Sequence, residues 1–351
     1  MAPPSGAPVP PAPAIAPAGP KLFAYYSSGQ PSSRTDLIQQ GSRIAVLAPN
    51  WFTLSTADLT VHAGSRSPLS TTPRDYGEIL AAKRVDGFEL WPVINATFTG
   101  ANGGPGPSAG QAQLSDAAKR SRIVAEIARV TDSYPVAEGV TLDVEGLWGG
   151  SGGASQRSAY NALVADAAAM LHGRARKLAI YAPGRTCAHD MPACTTWSAQ
   201  SYDWAALSRA ADLLTVAGYD HGVWAGSAPG PITTSAGWRA LVDYAGSVSR
   251  RKIVPTVAAF GYEWPSAGAG GGVLAGAGEL DARRAAGGYA PTVADGETTY
   301  TTAAGHVVWY ENQGGVMARI RDAAARGMAW WGLNTIGREQ PELWGGLVPA
   351  G

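Results

Sequence analysis

Eight short apolar runs, each followed by a segment of helical character, recur along most of this 351-residue chain, and that alternation constrains the fold more than anything else in it. The runs are Lys21–Tyr26, Arg43–Ala48, Phe88–Asn95, Val140–Val144, Lys177–Tyr181, Leu213–Gly218, Lys252–Ala258 and Met328–Leu333. Between and after them, the segments Arg34–Gln40, Asp75–Arg84, Leu114–Thr131, Gln156–His172, Asp203–Ala210, Ser235–Ser249, Val316–Arg326 and Pro341–Leu347 read as helices. In Leu114–Thr131, Ile123, Ile127 and Val130 fall at helical spacing. The strands are nearly continuous apolar runs, as a parallel sheet covered on both faces requires. The pattern predicts an α/β chain folded as a (β/α)8 TIM barrel over residues 21–348. A doubly wound open sheet is disfavoured because no glycine-rich phosphate turn follows the first strand. Residues 265–313 break the rhythm and are too long for a simple loop. They are expected to form a small α+β insertion after the seventh strand, walling one side of a cleft.

Residues 1–20 hold eight prolines and much alanine. They have neither a charged start nor an apolar central run, so they read as a disordered tether rather than a signal peptide. Charge is balanced, with 27 basic against 27 acidic residues. Nothing therefore points to a nucleic-acid partner or a polybasic membrane contact. No stretch of about 18 apolar residues predicts a membrane span. The two cysteines, Cys187 and Cys194, share the loop TCAHDMPACTTW. Two such neighbours favour a local disulfide, hence a secreted, periplasmic or cell-envelope location. The five histidines are scattered, so no metal site or cofactor is expected.

In such barrels chemistry gathers at the carboxyl ends of the strands. The fourth strand ends in EGVTLDVEGLW, delivering Asp143 and Glu145 two residues apart. On a strand, positions i and i+2 share a face. Two adjacent acids repel, and burial raises the pKa of at least one. A carboxylic acid kept protonated near neutral pH is what glycosidic cleavage asks of a general acid. The other strand ends bring Tyr26, Trp51, Asn95, Tyr181, Tyr219, Asp220, Tyr262, Trp264 and Trp331. Twelve Trp and thirteen Tyr stand against five Phe, a balance that suits stacking on sugar rings beside polar contacts. No Gly-x-Ser-x-Gly elbow of a serine hydrolase is evident.

The chain resembles the family 18 glycoside hydrolases, whose fourth strand ends in Asp-x-x-Asp-x-Asp-x-Glu. The corresponding residues here are Glu138, Thr141, Asp143 and Glu145; the last two match. Further matching stretches are GYDHGVWAGSAPGPI, AAFGYEW, VWYENQGG and GMAWWGLN. Within the family the chain looks most like the spore-cortex-lytic and peptidoglycan-acting glucosaminidase branch, and like hydrolase-like domains fused to polysaccharide deacetylases. The resemblance implies a retaining hydrolase of polysaccharide containing β-linked N-acetylglucosamine, peptidoglycan or chitin-like. It implies Glu145 as general acid, with the substrate acetamido oxygen as nucleophile. Asp143 would orient and stabilise the acetamido group, and Tyr219 would bond its carbonyl. Trp331, or failing that its neighbour Trp330, would floor the cleavage site, and Asp220 and Tyr262 would contact hydroxyls. Thr141 stands where many relatives have Asp, leaving Asp143 to rely on the Thr141 hydroxyl, Tyr26 or water. Two alternatives remain. A non-catalytic carbohydrate-binding barrel is disfavoured by the retained Glu145. A hydrolase of an exopolysaccharide without acetamido groups is disfavoured by Asp143 and Tyr219 together.

Overall fold

The computed structural model describes residues 19–64, 66–98, 113–147, 153–187, 201–220, 223–268 and 270–347. Eight parallel strands close into a barrel: Lys21–Tyr26, Ile44–Leu54, Val93–Thr97, Gly139–Glu145, Lys177–Ala182, Leu213–Ala217, Ile253–Ala258 and Trp330–Asn334. The first strand pairs with both the second and the eighth, which leaves the ring without an edge. The third strand starts late because Pro92 follows the short Glu89–Leu90 pairing and has no N–H to donate.

Side-chain alternation divides the core in two. Phe23, Val46, Trp91, Val93, Ala179, Leu213 and Val254 fill the barrel lumen. The opposite faces carry Val140, Leu142, Val144, Ile180 and Leu214 against the helices. Helix Ala117–Ser133 shows why these segments wind as they do. Asp116 caps its free amides by accepting from Ala118 and Lys119, and Ile123, Ile127 and Val130 lie one turn apart on the buried face.

The insertion is a five-stranded antiparallel sheet in the order Val273–Gly276, Phe260–Trp264, Val307–Glu311, Glu297–Thr301, Thr292–Ala294, with helix Ala277–Gly287 packed on it. Its first strand is the FGYEW run itself, which pairs antiparallel with Val307–Tyr310. That run therefore belongs to the added sheet rather than to the end of the seventh barrel strand. A buried ionic cluster locks sheet to barrel. Glu297 accepts from the amides of Ile232 (2.8 Å) and Thr233 (2.6 Å), and Arg319 pairs with Glu311 and lies 3.8 Å from Glu297. Burial pushes Glu311 up to about 8 and Glu297 to about 7, with Arg319 opposing both.

The fourth strand ends against a tight constraint. Gly146 has φ +76°, and a Cβ there would run into the carbonyl oxygen of Phe98. The Phe98 amide donates to the Glu145 carbonyl at 2.9 Å, so this turn fixes where Glu145 leaves the barrel. Replacing Gly146 with alanine is expected to cost about 1–3 kcal/mol of stability, measured by urea unfolding. A variant as stable as the parent would show that the turn is not constrained.

Candidate active site

Asp143 and Glu145 emerge together at the carboxyl end of the barrel. The register pairs Asn95 with Asp143 and Thr97 with Glu145 on the third strand. Val140, Leu142 and Val144 face the helices and are fully buried, which turns the odd-numbered positions inward. Thr141 does not support Asp143. Its hydroxyl donates to the Trp91 carbonyl at 3.0 Å, and the Tyr26 hydroxyl is taken by Asp75 at 3.1 Å. The support comes from Asn95, whose Nδ2 donates to Asp143 Oδ2 at 3.3 Å. The second carboxylate oxygen, Oδ1, is buried with no partner among the described residues.

Both acids are shifted toward protonation. Burial lifts Asp143 well above the usual carboxylate range, and the charge of Glu145 adds to it. Burial also raises Glu145, although its carboxylate still reaches solvent in the cleft. Both carboxyls are thus held above the usual carboxylate range, Asp143 the more deeply buried of the two.

A cleft of about 360 Å³ surrounds them. Tyr26, Tyr181, Tyr219, Asp220 and Tyr262 line it with Asp143 and Glu145. The Tyr219 hydroxyl accepts from Asn334 Nδ2 at 2.5 Å, and the Tyr262 hydroxyl donates to Asp220 at 3.1 and 3.3 Å. Tyr25 and Thr215 share a hydrogen bond of 2.6 Å across the barrel below. Burial raises the pKa of Tyr25, Tyr181, Tyr219 and Tyr262, so all four remain neutral donors. Asp220 sits at φ 57° and burial pushes it up to about 6, the Tyr262 hydrogen bond opposing.

Four expected residues do not line this cleft. Asn95 stands behind Asp143 as its donor. Trp331 points outward into the barrel–helix layer, because positions 330, 332 and 334 of its strand face inward. Trp330 faces the lumen at the far end, with Lys21 over its ring. Trp264 is fully buried beside Tyr262, covered where the amides of Gly271 and Gly272 donate to Ala225. Trp51 follows from a longer second strand: the pairing slips between Asn50 and Phe52. At that bulge its ring turns into a cluster with Phe52, Tyr76 and Tyr134, away from the acids.

Asn334, Thr335 and Arg338 line the cleft instead, with Leu274 from the insertion. The alternation through Trp330, Gly332 and Asn334 carries that signal once the eighth strand is extended by one residue. Cys194 lies outside the described residues, as does any bridge from it to Cys187; so do His189, His221 and the loop from 100 to 110. Among the described residues no helix is long and apolar enough to cross a membrane.

The description "Glycosyl hydrolases family 18" matches residues 100–335. The chain belongs to that family. As a family 18 barrel it is a glycoside hydrolase. It is similar in fold to a chitinase from Chromobacterium violaceum, at 20% identity and TM-score 0.77, covering 93% of this chain and 98% of that one. The Bacillus cereus spore cortex-lytic enzyme SleL aligns at 16% identity and TM-score 0.74, covering 95% and 75%. The Ostrinia furnacalis group IV chitinase aligns at 12% and 0.69, covering 94% and 97%. At these identities the likeness establishes the shared fold. No curated protein sequence matches the chain.

The raised pKa of Asp220 has a consequence for stability. Its folded value lies above the ordinary value for an aspartate, so the stability it contributes is full below about pH 3.8 and is lost as pH rises through about 6. Asp220→Asn is expected to flatten the fall in stability across that window, read by denaturant unfolding at several pH values. An unchanged slope would show that Asp220 titrates normally.

Proposed function

We propose that the chain is a retaining hydrolase of polysaccharide containing β-linked N-acetylglucosamine, working by substrate-assisted catalysis. The observation that carries this reading is the pairing of Asp143 and Glu145 on one strand face, both raised toward protonation, with Tyr219 in the same cleft. Glu145, the more accessible acid, donates its proton to the glycosidic oxygen as the bond to the anomeric carbon breaks. The substrate's acetamido oxygen attacks that carbon from the opposite face and forms an oxazolinium ion, so no enzyme nucleophile is needed; the general two-carboxylate scheme excepts this family. Asp143 accepts from the acetamido N–H and stabilises the positive charge, held in place by Asn95. Tyr219 donates to the acetamido oxygen, with Asn334 fixing its hydroxyl. Glu145, now ionised, takes a proton from the water that opens the ring. Asp220, Tyr262, Tyr26 and Tyr181 contact substrate hydroxyls.

Binding and turnover pull the cleft in one direction. The desolvation that raises the acids also strengthens each hydrogen bond to the sugar. The polymer is exposed wall material, peptidoglycan or chitin-like, and we place the protein outside the cytoplasm. The presence of two cysteines, Cys187 and Cys194, in one loop supports that location.

Glu145→Gln is expected to lower kcat by about 10²–10⁴-fold while chitin oligosaccharides still bind, measured by product analysis and calorimetry. Undiminished turnover would remove Glu145 from the mechanism. In the parent enzyme, kcat/KM is expected to fall as pH rises through the elevated pKa of the acid pair. A thiazoline mimic of the oxazolinium ion is expected to inhibit competitively, and lack of inhibition at millimolar concentration would refute the acetamido step.

A further inference from the structure

Beside the acid-bearing cleft lies a second recess of about 290 Å³, and Asn50 lines both. Its chemistry differs from that of its neighbour. The cleft holds Asp143, Glu145 and Asp220, whereas the described residues lining the recess include no Asp or Glu. They do include Arg74, which makes neither an ion pair nor a hydrogen bond among the described residues. The nearest carboxylate in sequence, Asp75, accepts from the Tyr26 hydroxyl at 3.1 Å and the Gly29 amide at 2.7 Å and makes no ion pair with Arg74. Gly29 is bare where Arg74 crosses it: a Cβ there would run into the guanidinium.

Two further residues lining the same recess, Trp51 and Ser28, carry buried polar atoms. Trp51 is 2% exposed, and its Nε1 has no hydrogen-bond partner among the described residues. Ser28 Oγ is also buried without one. Buried polar atoms are rarely left unpaired, and such a group calls for a partner that the described residues do not supply. An indole N–H can only donate, a guanidinium can only donate, and a hydroxyl can do either. The three together ask for a group that only accepts and carries negative charge.

We propose that this recess binds a carboxylate borne by a sugar of the substrate, one residue or more along the glycan from the bond that is cut. This rests on the reading of the main cleft as a saccharide site, and it selects among polymers: an N-acetylglucosamine homopolymer has no such group. A glycan whose amino sugars carry a lactyl ether does, and so does one containing hexuronic acid. Arg74 pairs with the carboxylate in charge-assisted hydrogen bonds, and Trp51 and Ser28 complete its acceptor positions.

The test compares the parent with Arg74→Gln and Arg74→Lys. The substrates are chitin oligomers, peptidoglycan glycan strands freed of their peptides so that the lactyl carboxylates are bare, the same strands with those carboxylates amidated, and an alternating hexuronic acid–N-acetylglucosamine glycan. The ratio of kcat/KM on carboxylate-bearing to neutral substrate is expected to fall about ten- to a hundredfold in Arg74→Gln, through KM, with partial rescue in Arg74→Lys. Amidation is expected to cause the same loss in the parent. Which carboxylate-bearing glycan responds distinguishes the lactyl from the uronic source. A ratio unmoved by Arg74→Gln, or parent kinetics indifferent to amidation, would overturn the proposal. Binding of the corresponding disaccharides, followed by calorimetry, keeps the two readings separate. If neither glycan is cleaved but the carboxylate preference of binding depends on Arg74, the recess stands and the hydrolytic reading falls. If chitin oligomers are cleaved and no carboxylate preference exists, the reverse holds.

Discussion

Two carboxyl groups forced together out of water are the constraint on which this site depends. A parallel strand places residues two apart on one face, and the barrel turns that face into its lumen. Val140, Leu142 and Val144 hold the other face under the helices, so Asp143 cannot rotate away without exposing apolar surface. Ionising both acids there would set two like charges side by side with little solvent to screen them. The protein leaves one oxygen of Asp143 unpaired and supplies a single donor, Asn95, to the other. That is an incomplete solvation shell, and a substrate amide N–H would complete it. The energy spent on holding the acid bare is returned only when substrate arrives.

The insertion serves the same end from the other side. Its first strand carries Tyr262, whose hydroxyl holds Asp220, and its edge strand brings Leu274 to the cleft. A sheet added on one short connection would be free to shift against the barrel. The Glu297–Arg319–Glu311 cluster prevents this, because Arg319 lies on the helix that precedes the eighth strand and bonds to the carbonyls of Thr233 and Asp295. One guanidinium faces two buried acids, so one of the acids stays protonated near neutral pH. A buried pair of this kind is weak evidence for stability but does define a unique arrangement of the parts it joins.

The eightfold alternation, the insertion and the acid pair were legible because each leaves a periodic trace: apolar runs, a break in rhythm, a two-residue spacing. The tryptophans were not. Trp51, Trp264 and Trp331 sit near strand ends in sequence, yet which face each takes depends on events that periodicity does not record. A bulge at Asn50–Phe52 redirects Trp51, and a glycine segment bonded to Ala225 covers Trp264. For Trp331 the error was one of register: with Leu333 as the last residue, parity could not be anchored, whereas Asn334 as the last inward residue fixes it. Asn95 was visible at a strand end, but its part as the donor to Asp143 followed only from the register that sets the two opposite each other.

Losing the expected tryptophan floor changes what the cleft can offer a sugar. A ring stacked on indole is held by apolar contact that tolerates rotation in the plane. Here the aromatic lining is tyrosine with a single phenylalanine, Phe260, and the hydroxyls of Tyr25, Tyr26, Tyr219 and Tyr262 are each tied to a protein partner. At the mouth of the eighth strand stand Asn334 and Thr335, which are polar. Such a surface recognises through fixed hydrogen-bond directions rather than broad stacking, and mismatched substituents leave its groups unpaired at a cost of about 1–3 kcal/mol each. Selectivity should therefore reside in which substituents the sugars carry. That places weight on the polar recess beyond Asn50, where Arg74 has neither an ion-pair nor a hydrogen-bond partner among the described residues.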